Sequence, residues 1–251
     1  MVKRQYTRVL LTIAGILAAT SVQAHIEGNL FLEHPPKTNA GVLIQSGSYE
    51  INDNASAFII SPFAEYMIRP WLSVGAGIPF GSYQDESGLS DAVLAIKSRT
   101  SAAGLTLVPT LTAELPTGSD QFTTGHPELV PAFFAEKKIP DTHLYGLFRG
   151  RFALGESDHA EAINPLAPHT EYELNGTLGI SYFLTEVMGL DARYHGNFEE
   201  LETFHSGAEI GVVYQVTTMQ GTTLKGSIGY LVNFSGIREG NSLGVSFYIA
   251  P

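Results

Sequence analysis

From about residue 40 onward the chain reads in twos. In "YELNGTLGISYF", Tyr172, Leu174, Leu178, Ile180 and Tyr182 fall on one face, while Glu171, just before it, Glu173, Asn175, Thr177 and Ser181 fall on the other. Strand side chains point alternately to opposite faces, so this period predicts a strand with one apolar and one polar side. Twelve such runs are predicted, at 40–50, 57–68, 71–80, 91–100, 105–115, 129–137, 143–153, 171–183, 187–196, 207–216, 223–233 and 242–250. In "LTLVPTLTAELPTGSD", Leu105, Leu107, Leu111, Ala113 and Leu115 oppose Thr106, Val108, Thr110, Thr112 and Glu114, and the run halts at Leu-Pro-Thr-Gly.

Soluble sandwiches alternate too, so the connections decide between architectures. Every second connection is short: "RP", "SAAG", "KKIPDT", "LTE" and "TTMQGT". Apart from the first, "INDNAS", those between them are longer, among them "GSYQDESGLS", "PTGSDQFTTGHPE", "LGESDHAEAINPLAPHT" and "NFEELETFHS". Transmembrane barrels have short periplasmic turns and longer external loops. The expected fold is therefore all-β, a transmembrane antiparallel β-barrel of about 12 strands. Each unpaired backbone group in hydrocarbon costs several kcal/mol, so such a sheet must close on itself.

The N-terminus supports export. Residues 1–24 carry Lys3, Arg4 and Arg8, then the apolar run "VLLTIAGILAA" and a small-residue site ending at Ala24, which is the layout of a secretory signal peptide. Residues 25–38 read as an extended periplasmic or plug segment, and 39–251 as the barrel. Removing the signal takes the net charge from −11 to about −14, which argues against a nucleic-acid partner. No cysteine is present, so disulfides, thiolate metal sites and lipid-modified cysteine are excluded.

The polar face of the runs carries charges of both signs. Lys97, Arg99, Glu114, Glu136, His143, Arg149, Arg151, Glu171, Glu173, Asp191, Arg193, His195, Glu209 and Lys225 are the candidate pore-lining residues. They read equally as a charged constriction and as ion pairs filling a narrow interior. Tyr66, Trp71, Tyr182, Phe183 and Tyr214 lie near the short turns, where an aromatic girdle belongs. Pro62, Pro109 and Pro131 fall inside strands, where a bulge would accommodate a missing donor.

No cofactor and no metal site is expected. His25 would head the exported chain with an amine and imidazole able to chelate, but of the other histidines only His34 is near; His159 and His169 sit among loop acids. No nucleophile-elbow, zincin or phosphate-loop motif occurs, so the chain is expected not to be an enzyme.

Three blocks in order, "EYMIRPWLSVGAGIPF", "SGLSDAVLAIKSRT" and "LTLVPTLTAELPTGSD", resemble the outer-membrane proteins of the meta-pathway of phenol degradation family. The matching positions are Ile78-Pro79-Phe80, Ser87-Gly88-Leu89-Ser90-Asp91 and Leu115-Pro116-Thr117-Gly118. The resemblance covers about residues 57–120 and implies an outer-membrane barrel taking up small, often aromatic, molecules. In the Leu-Pro-Thr-Gly stop, Pro116 is expected to end the ladder, Gly118 to take a positive φ, and Asp120 to bond nearby amides as the chain enters an external loop.

Three functions are carried forward. The first is a passive outer-membrane channel for small molecules, gated by 25–38. The second is a closed barrel with an external binding or structural role. The third is a soluble exported barrel that binds a ligand. The partners expected for a membrane barrel are outer-membrane lipid, a small solute and, during biogenesis, the outer-membrane assembly machinery; the oligomeric state is left open.

Overall fold

The computed structural model describes residues 35–49, 55–83, 85–119, 122–155, 172–199, 203–217, 222–234 and 240–250. They form one antiparallel sheet of fifteen strands. In chain order these are β1 (Asn39–Tyr49), β2 (Ala55–Arg69), β3 (Leu72–Gly77), β4 (Phe80–Tyr83), β5 (Glu86–Leu89), β6 (Ala92–Ser98), β7 (Thr100–Ala102) and β8 (Leu105–Leu115). They continue with β9 (Glu128–Ile139), β10 (Thr142–Ala153), β11 (Tyr172–Phe183), β12 (Met188–Glu199), β13 (Thr203–Thr217), β14 (Thr223–Asn233) and β15 (Gly240–Ala250). β3 and β4 run end to end along β2, and β5, β6 and β7 succeed one another in the next position, so the fifteen strands make twelve staves. β1 pairs with β2 on one side and with β15 on the other, from Ala40↔Ile249 to Tyr49↔Gly240. That pairing closes the ring; among the described strands only the short β5 and β7 pair on one side alone.

The two faces divide as the alternation requires. Leu178 and Ile210 are 70% and 71% exposed on the outside, with Phe133, Phe148, Leu94 and Tyr194 also outward. Lys97 and Glu128, 2% and 1% exposed, point inward with Glu65, Glu114 and Arg151. Greasy groups outside and charged groups inside reverse the layout of a soluble ligand-binding barrel. Of the aromatics near the short turns, Tyr66, Trp71 and Tyr182 are exposed and Tyr214 pairs edge-on with outward Phe247. Phe183 departs from that band: its ring lies 4.8 Å from that of inward His143.

The short connections are tight turns. Ala103 and Gly104 both have positive φ, as a two-residue hairpin between twisted strands requires. At 140–141 a proline precedes Asp141, whose φ is 58°. Two segments read as loops are partly ladder. Phe80–Tyr83 and Glu86–Leu89 extend the hairpin through 81–90, and β12 and β13 run through to Glu199 and from Thr203. The glycines and serines of 81–90 mask the alternation without preventing backbone pairing.

The strand prolines are accommodated by gaps rather than bulges. Pro62 faces the break between β3 and β4, where Ile78 N–H donates to its carbonyl at 3.3 Å. Pro109 lies opposite the interruption between β6 and β7, across which the register is unchanged. Pro131 coincides with a gap in the β9–β10 ladder between Arg149↔Ala132 and Phe152↔Leu129. A proline has no N–H to give, so the ladder loses pairs there and the register survives.

Candidate functional site

Glu114 and Glu128 face each other across β8 and β9. Two carboxylates so placed repel, and both are almost wholly buried. Arg151, two staves along, lies between them. Its Nη2 donates to Glu114 Oε2 at 2.8 Å, and its Nε contacts Glu128 Oε2. His126 Nε2 meets the other Glu128 oxygen at 3.1 Å. Beside this group Glu173, the cross-strand partner of Arg151, accepts from Asn175 Nδ2 at 3.0 Å, and Arg149 is buried one step further along β10. A buried charge must be paired to be tolerable, and this cluster meets that demand with ions on neighbouring staves.

A second cluster lies toward the short-turn end. Lys97 Nζ is 3.0 Å from Glu65 Oε2, while Glu65 Oε1 accepts from Ser73 Oγ and from the backbone N–H of Lys37 at 3.2 Å. The segment before β1 is thus tied to an inward carboxylate. On the opposite wall Asp191 accepts from Tyr145 OH at 2.9 Å, from Ser181 Oγ and from Arg193 Nε, and Arg193 lies 5.6 Å from the centre of the Tyr145 ring. His195 bridges Thr177 Oγ1 at 3.0 Å and Glu209 Oε2 at 3.3 Å; Glu136 lies 3.4 Å from both His143 and Lys138.

Most of the sequence-derived lining residues therefore point inward and pair with one another. Arg99 stands apart, exposed beyond the end of β6, and Lys225 is half-buried near the start of β14. Glu171, and the histidines at 25, 34, 159 and 169, lie outside the described residues. The partners that sequence reasoning passed over are Glu65, Ser73, His126, Glu128 and Tyr145. Glu65 and Tyr145 were accessible through strand parity. His126 and Glu128 were hidden because 116–128 read as loop. Among the described residues, no group of three or more His, Asp and Glu side chains is arranged to hold a metal ion.

The interior is not uniformly polar. Val108, Ala132, Phe134 and Leu147 cluster on the inner face, and Val93 and Ala95 pack with Leu43 and Phe63. Apolar surface thus adjoins the charged clusters, Val93 level with Glu114 and Val108 with Phe134 one inward step past the level of Lys97.

The segments that carry the family resemblance meet in space. Asp91 Oδ1 accepts from Gly118 N–H at 3.0 Å, and Oδ2 from Thr124 N–H at 2.9 Å and Thr124 Oγ1 at 3.0 Å. Thr117 Oγ1 accepts from Ala92 N–H at 2.9 Å, and Ser119 N–H donates to Leu89 O at 2.8 Å. Phe122, Thr123, Thr124 and His126 are buried as a result. The Leu-Pro-Thr-Gly stop therefore leads into a folded loop held by the stave before it. Gly118 does not adopt a positive φ, contrary to expectation; a Cβ there would lie 2.9 Å from both Leu89 O and Phe122 O. Close backbone approach is what requires glycine. Asp120 lies outside the described residues.

No protein-family model matches the sequence, and no curated protein matches it either. Solved structures do. The COG4313 outer membrane channel from Pseudomonas putida F1 superposes with a TM-score of 0.65 at 12% identity, covering 90% of this chain and all of that one. The NanC porin gives 0.53 at 7% identity, with 85% and 98% covered, and the KdgM porin 0.51 at 9%, with 85% and 99% covered. At such identities the likeness speaks for architecture: this chain has the fold of outer-membrane β-barrels.

Proposed function

We propose that the protein is an outer-membrane channel for passive passage of small molecules, belonging with the meta-pathway of phenol degradation family, and that it is not an enzyme. The carrying observation is the closed ring whose outer face is apolar and whose inner face holds ions of both signs on adjacent staves. Oppositely charged walls set a transverse field that orients a polar solute. The apolar inner patches around Phe134 and Phe63 support a hydrophobic or aromatic solute. Residues 1–24 act as the export signal and 25–38 as a periplasmic plug, a reading supported by the bond from Lys37 N–H to Glu65.

Planar-bilayer recording on the folded protein tests this. Steps of conductance are expected, with ion selectivity shifted by Arg149→Ala and Arg151→Ala. A folded barrel that passes neither ions nor solutes in liposome swelling overturns it. One observation favours the second reading, a closed barrel with an external role: inward Val93, Val108 and Thr112 have no exposed surface.

A further inference from the structure

We propose that the outer wall carries a binding site for one anionic phospholipid of the leaflet at the short-turn end. The inference rests on the membrane placement above and is independent of solute passage. Pairing sets Ala40 opposite Ala64 and Ala64 opposite Ala76, so three exposed methyl groups lie side by side. With strands about 4.8 Å apart this floor is roughly 10 Å wide. Along the strands toward the short turns, the next outward row is Tyr66, Val74, Ile96 and Leu111, all exposed, and it stands as a ridge. Floor and ridge bound an apolar groove of about 1070 Å³.

The polar end of the site is built by a bulge. The β2–β3 register steps from Met67↔Ser73 to Arg69↔Leu72, inserting one residue in β2. Without that insertion Arg69 would share the inward face of Glu65. With it, Arg69 shares the face of Leu72, outward, since Ser73 is buried inside. Arg99 closes the same rim, its N–H donating to Trp71 O at 2.8 Å. Among the described residues the exposed Lys and Arg side chains are Arg69, Arg99, Lys137 and Lys138, all at the short-turn end of neighbouring staves. In a chain of net charge −11 this segregation complements an anionic headgroup. The phosphate sits at Arg69 and Arg99, with Trp71 and Tyr66 at headgroup depth and one acyl chain on the alanine floor. A second copy of the chain fits less well, because a twofold contact through this groove would bring the cationic rim against itself.

Native mass spectrometry of the folded barrel with phosphatidylglycerol and, separately, phosphatidylcholine tests the site. Wild type is expected to hold one phosphatidylglycerol in preference to phosphatidylcholine, and to release it as salt rises. The double change R69Q/R99Q is expected to weaken phosphatidylglycerol about thirtyfold, at roughly 1 kcal/mol per cation, and phosphatidylcholine much less, because its choline already offsets the phosphate charge. R69K/R99K should retain binding, and A64F/A76F should lower retention of both lipids by filling the floor. Equal binding of the two lipids by wild type, salt-independent retention, or undiminished phosphatidylglycerol in R69Q/R99Q overturns the proposal. So does a dimer that A64F/A76F dissolves. Conductance recorded on the same proteins reports separately on the channel reading.

Discussion

The carboxylate of Asp91 holds the backbone N–H of Gly118 at 3.0 Å and, through its other oxygen, Thr124, 33 positions further on. One inward acid at the start of β6 therefore fixes the loop that follows β8. Replacing Asp91 with Ala leaves the N–H groups of Gly118 and Thr124 without their acceptor, while the Thr124 hydroxyl can still donate to His126 O at 2.9 Å. Hydrogen bonds to a charged group contribute about 1.5–3 kcal/mol each and are not additive, so a loss of about 3 kcal/mol is expected in denaturant unfolding. Chymotrypsin cleavage after Phe122, 2% exposed in the native protein, should rise in parallel. Unchanged stability together with unchanged cleavage would count against the latch. Gly118→Ala should act in the same direction by steric means, costing about 1–3 kcal/mol.

Arg151 neutralises a pair of opposed acids. Arg151→Ala leaves Glu114 and Glu128 buried without that cation, and an uncompensated buried charge costs about 3–5 kcal/mol. Adding Glu128→Gln to Arg151→Ala should recover part of that loss. Denaturant midpoints of the two variants check it, and a double variant no more stable than the single refutes the pairing.

The outer face is a claim about lipid. Leu178→Arg should cost about 2–4 kcal/mol of folding into bilayers, the penalty for a cation near mid-membrane. Asn175→Arg, on the inward face of the same strand, should cost much less. Equal penalties in a vesicle refolding titration would refute the division into a lipid face and an inner face, and a larger penalty for Asn175→Arg would mean that the faces are assigned the wrong way round.

Lys37 gives a pH dependence. Burial first, then the charges of Lys225 and Lys97, lower its amine from 10.5 to about 7 against the opposing influence of Glu65. The docked segment thus binds fewer protons than the undocked one between about pH 7 and 10.5. Docking is expected to strengthen as pH rises through that window and to stay level below it. Protease protection of the segment, followed from pH 6 to 10, reads this out, and Lys37→Met should flatten the profile.

Strand parity made much of this legible. Leu178 outward and Thr177 inward follow from a period of two, as do Arg149, Arg151, Asp191 and Arg193 inside. What parity cannot supply is the partner across the wall. That Arg151 bridges Glu114 and Glu128 depends on the β8–β9 register, which is fixed by a loop whose fold depends on Asp91. Gly118 shows the same limit. Its need for glycine comes from Leu89 O, a contact made only after the staves align. The extension of β12 and β13 past 196 and before 207 was hidden by "NFEELETF", where the acidic residues break the alternation, although Phe198 and Phe204 pair across the ladder with ring centres 4.7 Å apart.

The seam between β1 and β15 joins residues about two hundred positions apart. Until that zipper shuts, the cylinder is an open ribbon with two sticky margins, and whatever sequence of hairpins forms beforehand cannot be sealed piecemeal. Maturation should therefore look abrupt, with resistance to heat and detergent arriving in a single late event when the two margins meet.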